Sequence, residues 1–267
     1  MSGAYVHGYH ARESKRLNDQ AGTLVDLLHS DIAYPAGSRV LEVGCGVGAQ
    51  TVTLARNSLG ARIVAIDISA ASLEEASAKV RAAQLTNVEF RRADIFAAPF
   101  EHESFDHIFV CFVLEHLSRP AEALTALKAL LEPGGTITVI EGDHGSTYFH
   151  PDSDAARDAI DCQVELQRRS GGNAMIGRQV YPLLAAAGFH DVRVSPRMIY
   201  VDGSRSHLVD GFTMKTFTAM IEGVRQEAIN AGIIDAERFD SGIRALYRTA
   251  EDDGVFCYTF FKGVGTK

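Results

Sequence analysis

The stretch Glu42-Val43-Gly44-Cys45-Gly46-Val47-Gly48 decides how this chain is read. Arg39-Val40-Leu41-Glu42-Val43 is largely apolar and β-branched, which predicts a buried strand running into the glycines. Glycine suits a place where the backbone turns sharply off a strand and lies against a ligand with no Cβ in the way. The helix expected next, carrying Val52, Leu54 and Ala55, points free N–H groups into the same crevice. A dinucleotide loop reads G-x-G-x-x-G, with its helix end facing a pyrophosphate. Here the spacing is G-x-G-x-G, and Glu42 stands two residues before the first glycine. That carboxylate repels a phosphate and welcomes a cation. The loop therefore suits a ligand without phosphate and speaks against a nicotinamide dehydrogenase.

Outward from the loop, short β-branched runs alternate with helical patterns. Strands are predicted at 62–66, ending at Asp67, at 88–91, ending near Asp94, at 107–113 and at 136–140. Between them lie helices at 72–84, with Leu73, Ala76, Val80 and Ala83 on one face, and at 120–131, stopped by Pro133-Gly134-Gly135. An earlier helix, 13–28, carries Leu17, Ala21, Leu24, Val25 and Leu28 on one side. This alternation implies βαβ units and a mostly parallel sheet, whose ligands bind at the carboxyl ends of the strands. The rhythm changes after residue 146. Helices at 152–169, 212–230 and 235–248 do not belong to it, whereas a helix at 177–187 and strands at 191–194 and 255–261 continue the core. The expected organisation is a lid segment over 1–33, a cofactor-binding half over 34–145, and the rest of the core over 146–267, with helical cap insertions at about 146–176 and 203–250.

The residues after successive strands are acidic. Asp67 is placed to accept hydrogen bonds from both hydroxyls of a ribose lying across the glycine loop. Asp94-Ile95 offers an acceptor for an exocyclic amine beside an apolar wall, or else Asp94 caps the next turn.

With these residues in view, the sequence resembles the class I S-adenosylmethionine-dependent methyltransferases, in their small-molecule branch. The likeness rests on VLEVGCGVG, VAIDIS, Asp94-Ile95, FDHIFVCFVLEHL and LEPGGTITVIE, spanning Arg39 to Glu141, and continues more weakly through IGRQVYPLLAAAGFHDVRV. It implies an α/β, Rossmann-like, seven-stranded, mostly parallel sheet flanked by helices, its last strand antiparallel. It also implies S-adenosyl-L-methionine as cofactor. By the same likeness Gly44, Cys45, Gly46 and Gly48 hold the methionine part, Asp67 and Ile68 meet the ribose, and Asp94 and Ile95 face adenine. Backbone at Cys111 and Phe112 lies beside the sulfonium amino acid. Cys45 reads as a small packed residue rather than a nucleophile. Tyr5, Gly8, Glu13, Arg16-Leu17 and Gln20-Ala21 resemble a lid pattern, in which Tyr5, Arg16 or Gln20 reaches the methionine carboxylate or amine; a solvated helix face is the other reading.

The implied reaction is displacement at a sulfonium methyl by an O, N, S or C nucleophile. Alignment and exclusion of water do most of the work, and a base is needed only if the nucleophile arrives protonated. His144, in Glu141-Gly142-Asp143-His144 after the fifth strand, is the preferred base because an unperturbed imidazole titrates near neutrality; His116 is the second candidate, with a scaffold role as the competing reading. No metal is expected: His144, His150 and Asp152 lack compact ligand spacing. Tyr148, Phe149, Tyr200, Phe212, Met214, Phe217 and Met220 suit a small, partly apolar ligand, although Met214, Phe217, Met220, Ile221 and Val224 also form a plain helical stripe.

Composition narrows the partners. The 267 residues suffice for one large domain, or one with a cap, and 46% hydrophobic with 22% charged residues is the balance of a globular protein. Lys and Arg number 26 against 34 Asp and Glu, a net charge of −8, which disfavours broad nucleic-acid binding; the D/N-P-P-[YF] motif of nucleic-acid amino-methylation is also missing. The four cysteines, without CxxC spacing, suggest a reducing compartment, and no apolar run nears the roughly 20 residues of a membrane span, so a cytoplasmic location is expected. The expected partner is a small-molecule substrate. A protein methyltransferase and a non-catalytic cofactor-binding module are the rival readings.

Overall fold

The computed structural model describes residues 22–267. Tyr5, Arg16 and Gln20, and most of the expected lid, lie outside the described residues.

Seven strands make one sheet in the order β3-β2-β1-β4-β5-β7-β6. They are β1 (Arg39–Val43), β2 (Arg62–Asp67), β3 (Val88–Arg92), β4 (Phe105–Cys111), β5 (Leu131–His150), β6 (His190–Asp202) and β7 (Val255–Thr266). The pairs β1/β2, β1/β4, β2/β3 and β4/β5 are parallel, and β7 runs antiparallel to both β5 and β6. The order reverses at β1 and β4. Crossovers on either side of that point leave a crevice above the strand ends, where an open parallel sheet binds its ligands.

Helices cover both faces. They are α1 (residues 22–29), α2 (Thr51–Asn57), α3 (Ala70–Ala82), α4 (Pro120–Leu130), α5 (Asp154–Arg169), α6 (Val180–Ala186), α7 (Ser206–Leu208), α8 (Ala219–Gly223), α9 (Arg225–Asn230) and α10 (Ala236–Arg248). Successive strand residues point to opposite faces, so the core divides. Val40, Ile63 and Phe109 pack under α1 and α2, while Leu41, Ile108 and Val110 pack under α4 and α6. The first cluster continues without a break into Ala159 of α5, Leu246 of α10 and Phe256, Tyr258 and Phe260 of β7. Side-chain caps set several helix starts: Ser69 accepts the Ser72 N–H, Ser153 that of Ala156 and Asp235 that of Arg238.

Four elements depart from the sequence expectation. β4 stops at Cys111 rather than 113, because Phe112 turns left-handed at φ +57°. β5 does not end at Ile140: it runs on to His150, pairing Tyr148, Phe149 and His150 with Cys257, Phe256 and Val255. Residues 146–150 are thus sheet, not cap insertion. β6 extends to Asp202 instead of stopping at 194, since aromatic, β-branched β7 offers a partner along its length. The helix expected over 212–230 is π-helical over Val209–Thr218 and broken at Val224. Five-residue spacing brings Phe212 and Phe217 together on the buried side and leaves Met214 exposed, so the expected stripe holds through Phe217, Met220, Ile221 and Val224 without Met214.

Candidate active site

The glycine loop leaves β1 with three residues at positive φ: Gly44 at 66°, Gly46 at 51° and Gly48 at 74°. Each serves a different purpose. A Cβ on Gly44 would stand 2.6 Å from Val113 Cγ2, and one on Gly48 would stand 2.8 Å from Ala76 Cα, so these two let the β4 turn and α3 close on the loop. A Cβ on Gly46 would meet nothing within 4 Å, so the loop presents open, bare backbone there. From α3, Lys79 Nζ donates to the Val47 carbonyl at 2.8 Å and steadies the loop from behind.

Asp67 ends β2 at the mouth of the crevice. Its Oδ2 accepts the Gly46 N–H at 2.9 Å and its Oδ1 accepts the Ser69 N–H at 2.8 Å. Each oxygen keeps a lone pair for a further donor. Ile68 beside it is 45% exposed, an apolar surface next to a carboxylate. Asp94 Oδ1 accepts the Phe96 N–H at 2.9 Å, the turn-capping arrangement, and Ile95 is half-buried next to it.

Glu42 is buried behind the loop with Oε2 lacking a hydrogen-bond partner. Burial, helped by the negative Asp67, pushes its carboxyl up to about 7. A buried acid poised near neutrality, with one orphaned oxygen, fits a cation arriving across the glycines. Cys45 and Cys111 have thiols that burial and nearby carboxylates push above the ordinary range, so neither is a thiolate nucleophile.

The β4 turn closes the crevice from the other side. Phe112 holds a left-handed backbone, which costs a bulky residue about 1–2 kcal/mol. Its N–H donates to the Ile140 carbonyl at 2.9 Å, and its ring lies 5.6 Å from that of Phe260. Next come Val113 and Leu114, whose N–H groups donate to Glu141 Oε1 at 3.0 and 2.7 Å. His116 lies in the short 3-10 turn Leu114–His116 rather than opening α4, with Nε2 3.5 Å from Glu115 Oε1.

His144 is carried by the continuation of β5 into an aromatic wall formed with Phe217 and Tyr258. Its Nδ1 lies 3.1 Å from the Ala174 carbonyl and 3.0 Å from Tyr258 Oη. A carbonyl only accepts, so Nδ1 carries the hydrogen and Nε2 is the basic nitrogen of the neutral ring. Neighbouring Asp143 is buried and binds Arg178 through Nε and Nη2, both at 2.8 Å. Sequence reasoning missed Glu141, Tyr258 and Arg178 as supports. Only the acid at the end of a predicted strand gave any sign of the first, and the other two come from segments more than 30 residues away. Among the described residues, no group of three or more His, Cys, Asp and Glu could hold a metal ion, and no helix is long and apolar enough to cross a membrane.

This geometry matches known proteins. A methyltransferase-domain family model, Methyltransf_11, fits residues 41–139, the stretch from β1 through the core of β5. The chain belongs to the class I S-adenosylmethionine-dependent methyltransferases. A trans-aconitate 2-methyltransferase from Paracidovorax citrulli is 27% identical over 259 residues, covering 92% of this chain and 93% of that one. An uncharacterized 37.1 kDa protein in a transposon of Streptomyces fradiae is 33% identical over 190 residues, 70% of this chain and 54% of the other. Thus the chain spans about half the length of some curated relatives it matches. Among solved structures, a Haemonchus contortus phosphoethanolamine N-methyltransferase 2 in complex with phosphomonomethylethanolamine and S-adenosylhomocysteine overlays with a TM-score of 0.59 at 16% identity, over 97% of this chain and 58% of that one; at that identity the likeness is one of fold. S-adenosylmethionine is the cofactor of this methyltransferase family.

Proposed function

We propose that this methyltransferase moves a methyl group from S-adenosylmethionine to an O, N, S or C nucleophile of a small molecule by direct displacement. The observation that carries this reading is the Asp67 carboxylate, fixed by the Gly46 and Ser69 N–H groups at the open edge of a loop whose central glycine faces empty space. The bound cofactor supplies a methyl already activated on a positively charged sulfur.

The chain's own residues bind, orient and exclude water. Asp67 takes the ribose hydroxyls on its remaining lone pairs, with Ile68 alongside. Asp94, whose Oδ1 already caps a turn, offers its other oxygen to the adenine amine, and Ile95 flanks the base. Gly44, Cys45, Gly46 and Gly48 present bare backbone to the methionine part, and Glu42 answers its ammonium. Cys111 and Phe112 lie against that amino acid across the crevice. The aromatic wall of β7 and the π-helical segment keeps the acceptor dry. His144 Nε2 takes the proton from an acceptor that arrives protonated, held in that tautomer by the Ala174 carbonyl. His116, paired with Glu115, is the weaker candidate for that task.

Calorimetry with S-adenosylhomocysteine and transfer of labelled methyl into a panel of metabolites test the proposal. Tight binding and labelling of small molecules support it. Labelling of polypeptides alone would assign the chain to protein methylation, and binding with no labelled product would mark a cofactor-dependent module without turnover.

A further inference from the structure

Glu141 stands where β5 passes the floor of the crevice, and it is fully buried. Oε1 accepts two backbone N–H groups, whereas Oε2 is buried with no hydrogen-bond partner among the described residues. The two amides belong to Val113 and Leu114, the residues directly after left-handed Phe112. Val113 in turn fills the space that a side chain on Gly44 would need. A continuous line of contact therefore runs from an interior carboxyl, through the β4 turn, to the first glycine of the loop.

We propose that Glu141 is a positioning residue for methyl transfer: its Oε1 clamps the Val113 and Leu114 amides so that the Phe112 turn stands fixed over Gly44 before the cofactor enters. The inference rests on the glycine loop and Asp67 being the cofactor site. Glu141 does this from a buried position that disfavours its charge. Burial and the adjacent Glu115 carboxyl push it well above the usual carboxylate range, against the opposing pull of the backbone N–H bonds. Oε1 is the oxygen committed to the two donors. A carboxamide reproduces the arrangement, since its oxygen accepts the same two bonds and its NH2 takes the place of Oε2. Glu141→Gln should therefore preserve the clamp, while Glu141→Ala leaves two amides unpaired and the turn loose.

The test measures S-adenosylhomocysteine affinity by calorimetry and hydrogen exchange at the Val113 and Leu114 amides. It uses wild type, Glu141→Gln, Glu141→Ala and Asp67→Ala, with Leu246→Ala in α10 as a control for stability lost elsewhere. Glu141→Gln is expected to bind within about twofold of wild type, with both amides protected. Glu141→Ala is expected to lose about tenfold or more in affinity, through two missing hydrogen bonds, and to expose both amides to exchange. Leu246→Ala should lower Tm and keep the affinity. The proposal is overturned if Glu141→Ala binds like wild type, or if Glu141→Gln is as impaired as an alanine. Should Glu141→Ala not fold, Glu141→Gln decides alone: wild-type affinity with protected amides supports the clamp, and weakened binding overturns it. Weakened binding in Asp67→Ala but not in Glu141→Ala removes this inference only; intact binding in both removes the cofactor reading as well.

Discussion

Asp67 Oδ2 and the Gly46 N–H meet at 2.9 Å, so the residue that ends β2 also fixes the middle of the glycine loop that leaves β1. One carboxylate thus shapes the loop and faces the crevice. Removing it should act twice, by loosening Gly46 and by taking away the acceptor for a ribose. Asp67→Ala is expected to weaken S-adenosylhomocysteine binding by about 1.5–3 kcal/mol, the range for a hydrogen bond to a charged group. Titration calorimetry gives the answer, and unchanged affinity would remove Asp67 from the site.

The glycines should separate folding from binding. Gly48→Ala drives a Cβ onto the Ala76 backbone, which cannot yield, and should lower Tm by several degrees. Gly46→Ala meets no neighbour and should cost only the left-handed penalty of about 1 kcal/mol, yet it places a methyl where the ligand lies. Thermal melts and calorimetry on both variants should show the larger Tm loss in the first and the larger affinity loss in the second.

Glu42 gives a pH dependence of definite sign. Its carboxyl, raised to about 7 without ligand, is neutral below that pH and ionised above it. A ligand ammonium prefers the ionised form, so affinity should rise with pH between 6 and 8, by at most about tenfold per pH unit for one proton. Glu42→Gln should bind more weakly and with a flat profile. A wild-type profile that is flat, or that falls with pH, would contradict the contact.

His144→Ala should abolish most turnover while leaving cofactor affinity intact, because the imidazole lies in the aromatic wall rather than against the glycine loop. General-base contributions of about 10²–10⁴-fold set the scale. Full activity across pH in the variant would end its assignment as the base.

His29, the last residue of α1, shapes stability rather than binding. Its Nε2 meets Gln50 Oε1 at 2.5 Å, and burial lowers its pKa from 6.5 to about 4. The unfolded chain binds this proton first as pH falls, so stability holds above about 6.5 and declines between 6.5 and 4, by up to about 3 kcal/mol. Urea unfolding at pH 7 and pH 4.5 should show a smaller decline in His29→Gln than in wild type.

Much of the molecule was legible because strand and glycine signals are local. The loop at 44–48, the acid at 67 and the alternation through Ile140 follow from residues close together in sequence, and the sheet order observed agrees with them. Strand ends were less legible, since β5 and β6 are prolonged by pairing with β7, which arrives more than 50 residues later. The π-helical spacing that joins Phe212 to Phe217 has no period-3.6 signature. The supports of the site were hidden for the same reason: Glu141 acts on a turn 27 residues before it, and Tyr258 reaches His144 from 114 residues away.

The prolonged part of β5, β6 and β7 carries Phe256, Tyr258 and Phe260 at alternate positions on one face, beyond the level at which β1 and β4 stop. On the reading proposed above, the acceptor is bordered by a rigid ladder instead of a flexible loop. Lineages of this enzyme could trade one rung for another and accept a differently shaped molecule, with the grip on the methyl donor untouched.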